Sequence, residues 1–133
     1  MTRTAGGVTR RKALPQLSIR IDFASDGRIG PGKISLLEQI DALGSISAAG
    51  RALNMSYKRA WDLVEEMTRI CGVVVARQTG GRDGGGSVLT PLGVSLVERY
   101  RRIEKAATAA VREDLVKLQS DVERRSRVRR TIA

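Results

Sequence analysis

Lys58 and Arg59 stand side by side in the stretch SYKRAWD, directly after two hydroxyl-bearing residues, Ser56 and Tyr57. Further on, the run QTGGRDGGGSVLT, residues 78–90, packs five glycines into seven positions around Arg82. These residue types do one kind of chemistry well. Guanidinium, ammonium and hydroxyl groups donate hydrogen bonds to oxyanions, and backbone without side chains lets an oxyanion come close. A nucleotide-binding P-loop needs a strand, then Gly-x4-Gly-Lys-Ser/Thr, then a helix whose N-terminus faces the phosphates. Here Ser87 follows a glycine with no lysine before it, and SVLT after the glycines reads as a strand. A dinucleotide fingerprint fails for the same reason. The glycines instead read as a hairpin tip poor in side chains, able to approach a phosphate backbone, with Arg77 at its base and Arg82 at its tip. A plain flexible loop is the alternative.

Composition closes off other site chemistries. The chain has no histidine and a single cysteine, which excludes a Cys/His zinc site and a His-based catalytic triad, so no metal is expected. Cys71 falls in an apolar helical pattern, where a buried inert thiol is expected. The aromatic residues are few, Phe23, Tyr57, Trp61 and Tyr100, so base stacking on exposed rings is poorly supported. Charge points the other way. Twenty-four Lys and Arg against fourteen Asp and Glu leave a net charge of +10, which favours a polyanionic partner, nucleic acid before an anionic membrane. Arg3, Arg10, Arg11, Lys12 and Arg20 at one end and Arg124, Arg125, Arg127, Arg129 and Arg130 at the other account for that excess. The middle is neutral overall, and a basic face there must come from arrangement. No apolar run approaches the length of a membrane span, and a signal peptide's apolar stretch is missing, so a cytoplasmic protein without membrane contact is expected.

The elements that must position these groups follow from periodicity. Residues 1–16 read as a disordered basic tail. From Leu17 the segment LPQLSIRIDF alternates Leu17, Ile19, Ile21 and Phe23 with polar residues, the pattern of a half-buried strand. ASDGRIGPG reads as turn material. Pro31 opens a helix whose apolar face holds Ile34, Leu37, Ile40 and Leu43, with Leu36 beside them, and Gly44 ends it. Ser45 or Ser47 can cap a short helix to about Leu53, and Ser56 a second to about Cys71. Asn54 sits between them, where the left-handed conformation is needed. The second helix repeats Ala60, Val64, Met67 and Cys71 on one side and sets Lys58, Arg59, Asp62, Glu66 and Arg69 on the other. VVVARQ and SVLT are the strands on either side of the glycine tip. From Pro91, Leu92, Leu96, Tyr100, Ile103, Ala107, Val111, Leu115, Leu118 and Val122 recur every three or four residues, marking one long amphipathic helix.

Two helices joined by the tight LNM turn match a helix-turn-helix, with Ala49 and Gly50 permitting close crossing and Leu53, Met55, Ala60 and Leu63 filling the shared core. An ordinary bundle corner is the alternative. Lys58 and Arg59 fall in the first turn of the second helix, where the helix dipole disfavours cations. That placement makes sense if the turn meets phosphates and base edges in a major groove. Tyr57 is expected near the core face and Trp61 in packing. A glycine-tipped hairpin directly after such a helix is the wing of a winged helix-turn-helix.

The motifs GSIS, SYKRAWD, EM, TGG, GGG and LTPLG, in this order and spacing, resemble the N-terminal domain of the molybdate-responsive transcriptional regulators of the ModE type, over about residues 17–115. The wider bacterial group with LysR-type domains shares GSISAAGRAL. The resemblance implies a homodimer on a palindromic operator in double-stranded DNA, with Ser56, Tyr57, Lys58 and Arg59 as recognition-turn contacts and Thr79, Gly80, Gly81 and Arg82 as wing contacts. Arg51, on the preceding helix, is added from its position, and Arg77 from its place at the wing base. Family members that sense molybdate do so in C-terminal β-barrel modules. No strand-rich segment follows here, so neither a cofactor nor direct molybdate sensing is expected.

The expected fold is therefore mainly α with a small β-hairpin, a winged helix-turn-helix over residues 17–90 followed by a long C-terminal dimerisation helix over 91–123 and a basic tail over 124–133. The pairing stripe is Leu92, Leu96, Tyr100, Ile103, Ala107, Val111, Leu115 and Leu118. The expected function is sequence-specific transcriptional regulation without enzymatic activity. Non-specific coating of DNA, or pairing with a full-length sensor, are the rival readings.

Overall fold

The computed structural model describes residues 14–24, 27–78 and 86–132, the side chains of 130–132 excepted. The tail expected over 1–16 lies outside the described residues except for 14–16. In chain order the elements are β1 (Ile21–Phe23), β2 (Gly27–Ile29), α1 (Pro31–Leu43), α2 (Ile46–Ala52), α3 (Tyr57–Cys71), β3 (Val75–Gln78), β4 (Gly86–Leu89), α4 (Pro91–Ala110) and α5 (Arg112–Ile132). They fall into two units, one of residues 18–104 and one holding the described residues 14–17 and 105–132. Among the described residues no helix is long and apolar enough to cross a membrane.

The first unit carries the winged-helix architecture. Its core is made by Ile34, Leu36, Leu37 and Ile40 of α1 against Ala49 of α2, Ala60 and Met67 of α3, and Val74, with Tyr100 of α4 closing it. Each large apolar side chain fully removed from water here contributes roughly 1.5–3 kcal/mol. Leu43, expected on the same face of α1, is 48% exposed. A spacing of three falls about 60° short of a full turn at each step, so the fourth member of the series has rotated off the core side. Gly44 ends α1 as expected, in the left-handed region at φ 78° with its N–H on the Ile40 carbonyl.

Two antiparallel hairpins are present where the sequence suggested one. β1 pairs with β2 in the register Ile21 with Ile29, Asp22 with Arg28 and Phe23 with Gly27. The segment expected to be turn throughout, residues 24–32, thus contains a strand. Its short GRI core shows no alternation on its own, and the pairing comes from Ile29 being drawn fully into the core. The strand expected from Leu17 is regular only from Ile21, although Ile19, Ile21 and Phe23 are half-buried and their neighbours exposed, as the alternation requires. β3 pairs with β4, Val75 with Leu89 through Gln78 with Gly86. This is the wing, and its tip lies outside the described residues.

The long helix is two segments. Regular helical geometry breaks at Val111, yet Val111 N–H reaches the Ala107 carbonyl at 3.2 Å and Leu115 N–H the Val111 carbonyl at 3.0 Å, so hydrogen bonding passes through the break. Helix continues to Ile132, so residues 124–132, expected as a tail, are helical.

Candidate nucleic-acid interface

The α2–α3 corner is built from its caps. Ser45 Oγ accepts from Ala48 N–H at 2.8 Å and Ser56 Oγ from Arg59 N–H at 3.0 Å, so each helix begins on a serine. Between them Asn54 takes φ 59°, the only positive φ among the described non-glycine residues. Met55 N–H bonds the Gly50 carbonyl at 2.9 Å and Asn54 N–H the Arg51 carbonyl at 3.1 Å. That double closure is a Schellman turn with asparagine in the left-handed position. Gly50 lies against Ala60, and a Cβ there would sit 3.1 Å from the alanine methyl, the close crossing that the two small residues implied.

The first turn of α3 is thereby held out to solvent. Lys58 is exposed, and its Nζ makes a 3.0 Å ion pair with Asp62 one turn on. A pair this exposed is worth less than about 1 kcal/mol, so a phosphate can displace the carboxylate. Arg59 is exposed and its guanidinium has no partner among the described residues. Tyr57, expected near the core face, is 60% exposed. As the first residue of α3 it precedes the turn that packs on α2, and its ring meets Trp61 edge-on, centroids 6.1 Å apart. Trp61 is partly buried, and its indole N–H is sealed from water with no acceptor among the described residues. The Ser56 oxygen is engaged as the cap, so its first role is to position Arg59. Arg51 is exposed and donates to Ser47 Oγ at 2.9 Å.

The wing root comes to the same side. A cleft of about 260 Å³ is lined by Ser45 and Ser47 of the α2 start, Tyr57 and Trp61 of α3, and Arg77 and Ser87 of the wing. Thr79, Gly80, Gly81 and Arg82, expected at the tip, lie outside the described residues. A second groove, of about 430 Å³, runs along the other side of the recognition turn, and Arg59 lines it together with Arg20, Arg28 and Lys33. Sequence reasoning missed these three as a group, because Arg28 stands in what read as a glycine-rich turn. The only available signal was the Arg-x-Asp alternation of the preceding strand.

The pairing stripe divides. Tyr100 is 1% exposed inside its own unit, its hydroxyl donating to the Ile19 carbonyl at 2.6 Å, and Leu96 packs on the same core. Neither is available to a second copy, because the periodicity of α4 serves the domain before it serves an interface. Leu92, Ile103 and Leu118 are exposed, and Ala107, Val111 and Leu115 are half-buried.

None of the family models compared matches the chain. Similar curated proteins are the molybdenum-pterin-binding protein MopB of Rhodobacter capsulatus, 46% identical over 78 residues, and the DNA-binding transcriptional dual regulator ModE of Escherichia coli K12, 45% identical over 71 residues. Those matches take in 58% and 53% of this chain but 29% and 27% of the relatives. The molybdenum transport protein ModE of Azotobacter vinelandii is 36% identical over 98 residues, 73% of this chain and 36% of that one. The chain thus spans about a third of the length of the relatives it matches. Over that stretch it resembles the proteins named ModE, as its motifs led us to expect, and MopB as well. Two solved structures share the fold: a MarR family transcription regulator, with TM-score 0.52, 21% identity and coverage of 78% of this chain and 72% of that one, and CbnR_DBD in a complex with DNA, with TM-score 0.50, 21% identity and coverage of 65% and 95%.

Proposed function

We propose that this chain is a sequence-specific DNA-binding transcriptional regulator of the ModE type, a binding protein rather than an enzyme. The first turn of α3 enters the major groove of double-stranded DNA, and the wing lies against the flanking backbone. The observation that carries this reading is the serine-capped turn itself, which holds Tyr57, Lys58 and Arg59, the last unpartnered among the described residues, in solvent at the end of a helix whose opposite face is core. A cation at that position costs helix stability unless something anionic meets it. The relatives' names support DNA and molybdenum as the setting, so genes tied to molybdenum are the first targets to examine. Two copies, joined through the exposed apolar positions of α4 and α5, would place two such turns on a palindromic operator.

Genome-wide footprinting with and without molybdate gives the operator and any effector response. On that operator, Arg59→Ala is expected to cost roughly 1–3 kcal/mol more binding than it costs on random duplex, the excess being its share of base reading. Equal losses on both sequences would make Arg59 a phosphate contact only. No retention of any duplex at low salt would end the DNA-binding reading.

A further inference from the structure

The groove beside the recognition turn has a charge pattern that the fold does not require. Its lining combines apolar Met55 and Leu63 with four cations from two separate parts of the chain. Two are neutralised: Arg20 Nε lies 2.8 Å from Asp22, and Lys33 Nζ lies 3.0 Å from Glu66 and 2.6 Å from the Arg28 carbonyl. The other two, Arg28 and Arg59, have no side-chain partner among the described residues, and no carboxylate among those residues lines the groove. Arg28 is exposed on β2, opposite Asp22 in the ladder, yet Asp22 is engaged by Arg20 and leaves it free. Gly30, Pro31 and Gly32, at the start of α1, line the same groove. Gly30 supplies no side-chain cap there, the first turn carries no acid, and nothing would stand within 4 Å of a Cβ on Gly32. Two guanidiniums that are unpaired among the described residues and line one open groove fit an oxyanion, to which each can donate charge-assisted hydrogen bonds.

We propose that this groove seats a phosphodiester of the DNA backbone, with Arg28 as a binding residue supplied by the N-terminal hairpin. The inference rests on the DNA-binding reading above, since it uses the same duplex that meets Arg59. A duplex backbone is favoured over a small free anion because the trough is open to solvent along its length and shares Arg59 with the recognition turn. The hairpin thereby contributes a second, sequence-blind anchor on the side of α3 away from the wing.

The test is fluorescence anisotropy of the full chain on operator and random-sequence duplexes across a salt series. Arg28→Ala is expected to weaken both complexes alike, by roughly three- to tenfold, and to flatten the slope of log affinity against log salt by about 0.9, one phosphate's worth. Arg28→Lys should recover most of the loss, and Arg102→Ala, an exposed arginine of α4 outside the groove, serves as the control. Binding by Arg28→Ala equal to the control's would overturn the proposal and leave the DNA reading standing. Wild-type chain that binds no duplex would sink both. Should Arg28→Ala fail to fold, nuclear magnetic resonance of the wild-type chain decides. A shift of the Arg28 Nε–H on adding duplex supports the seat. A shift with sulfate or molybdate but not with duplex assigns the groove to a free anion and refutes it.

Discussion

Arg101 shows how one side chain ties distant parts of the chain together. Its guanidinium donates to both carboxylate oxygens of Glu38, at 3.0 and 2.8 Å, and to Glu104 at 2.8 Å, fastening α4 to α1. The arginine beside it holds the Glu38 carboxyl below its ordinary value of 4.5 and outweighs the opposing effect of burial. A carboxylate whose folded pKa is depressed adds stability above its unfolded pKa, and that stability is lost as pH falls through the folded value. Urea denaturation of the wild-type chain is therefore expected to show stability declining below about pH 4.5. Arg101→Met should lose about 1 kcal/mol at pH 7, at the low end for a forked pair because a third of each side chain meets water, and should lose little more on acidification. An unchanged acid slope in the variant would show that Glu38 is not the group responsible. None of this was legible in the sequence, since the partners stand 63 positions apart and local periodicity says nothing about such pairs. The capping serines, Asn54 and the outward Lys58–Arg59 pair were legible because each depends only on neighbours within a turn. Tyr57 was misplaced because a helical wheel ignores the helix end, where a residue of the first turn has no preceding turn to pack beneath it.

At the scale of elements, the wing is docked as well as paired. Ser87 N–H bonds the Gly44 carbonyl at 2.8 Å, so the return strand rests on the corner between α1 and α2. A Cβ at residue 86 would collide with that same carbonyl oxygen. At least one glycine of the run is thus demanded by packing rather than by the mobility of a tip. Gly86→Ala is expected to destabilise the fold by about 1–3 kcal/mol, the range for a forced shift in a packed site. Hydrogen exchange should rise at Ser87 and Val88 before the core of α3 responds, and unaltered protection there would contradict the docking. The sequence exposed the strands on both sides of the glycines through their β-branched residues. It hid β2, because three residues containing one apolar side chain carry no period, and their pairing is imposed by Ile29 reaching a core assembled from elsewhere.

At the scale of the whole molecule, the question is what covers the outward apolar positions of the long helical stretch. Leu118 and Val122 are 53% and 56% exposed, and Ile103 and Val116 nearly as much. On the proposed pairing of two copies, Leu118→Glu is expected to leave a monomer in sedimentation, with the melting of residues 18–104 little changed, and a dimer of undiminished affinity would exclude this face from the interface. α4, which carries Ile103 of this face, is anchored by the residue just before it. Thr90 Oγ1 donates to the Val73 carbonyl at 2.7 Å and accepts from Gly93 N–H at 3.0 Å, while Thr90 N–H holds the Val74 carbonyl at 3.0 Å. Three bonds at one residue make a rigid weld where a loose joint would absorb torque. A twist of the opening turn of α4 about its axis must therefore be delivered to Val73 and Val74, and through them to the root of the hairpin that follows α3.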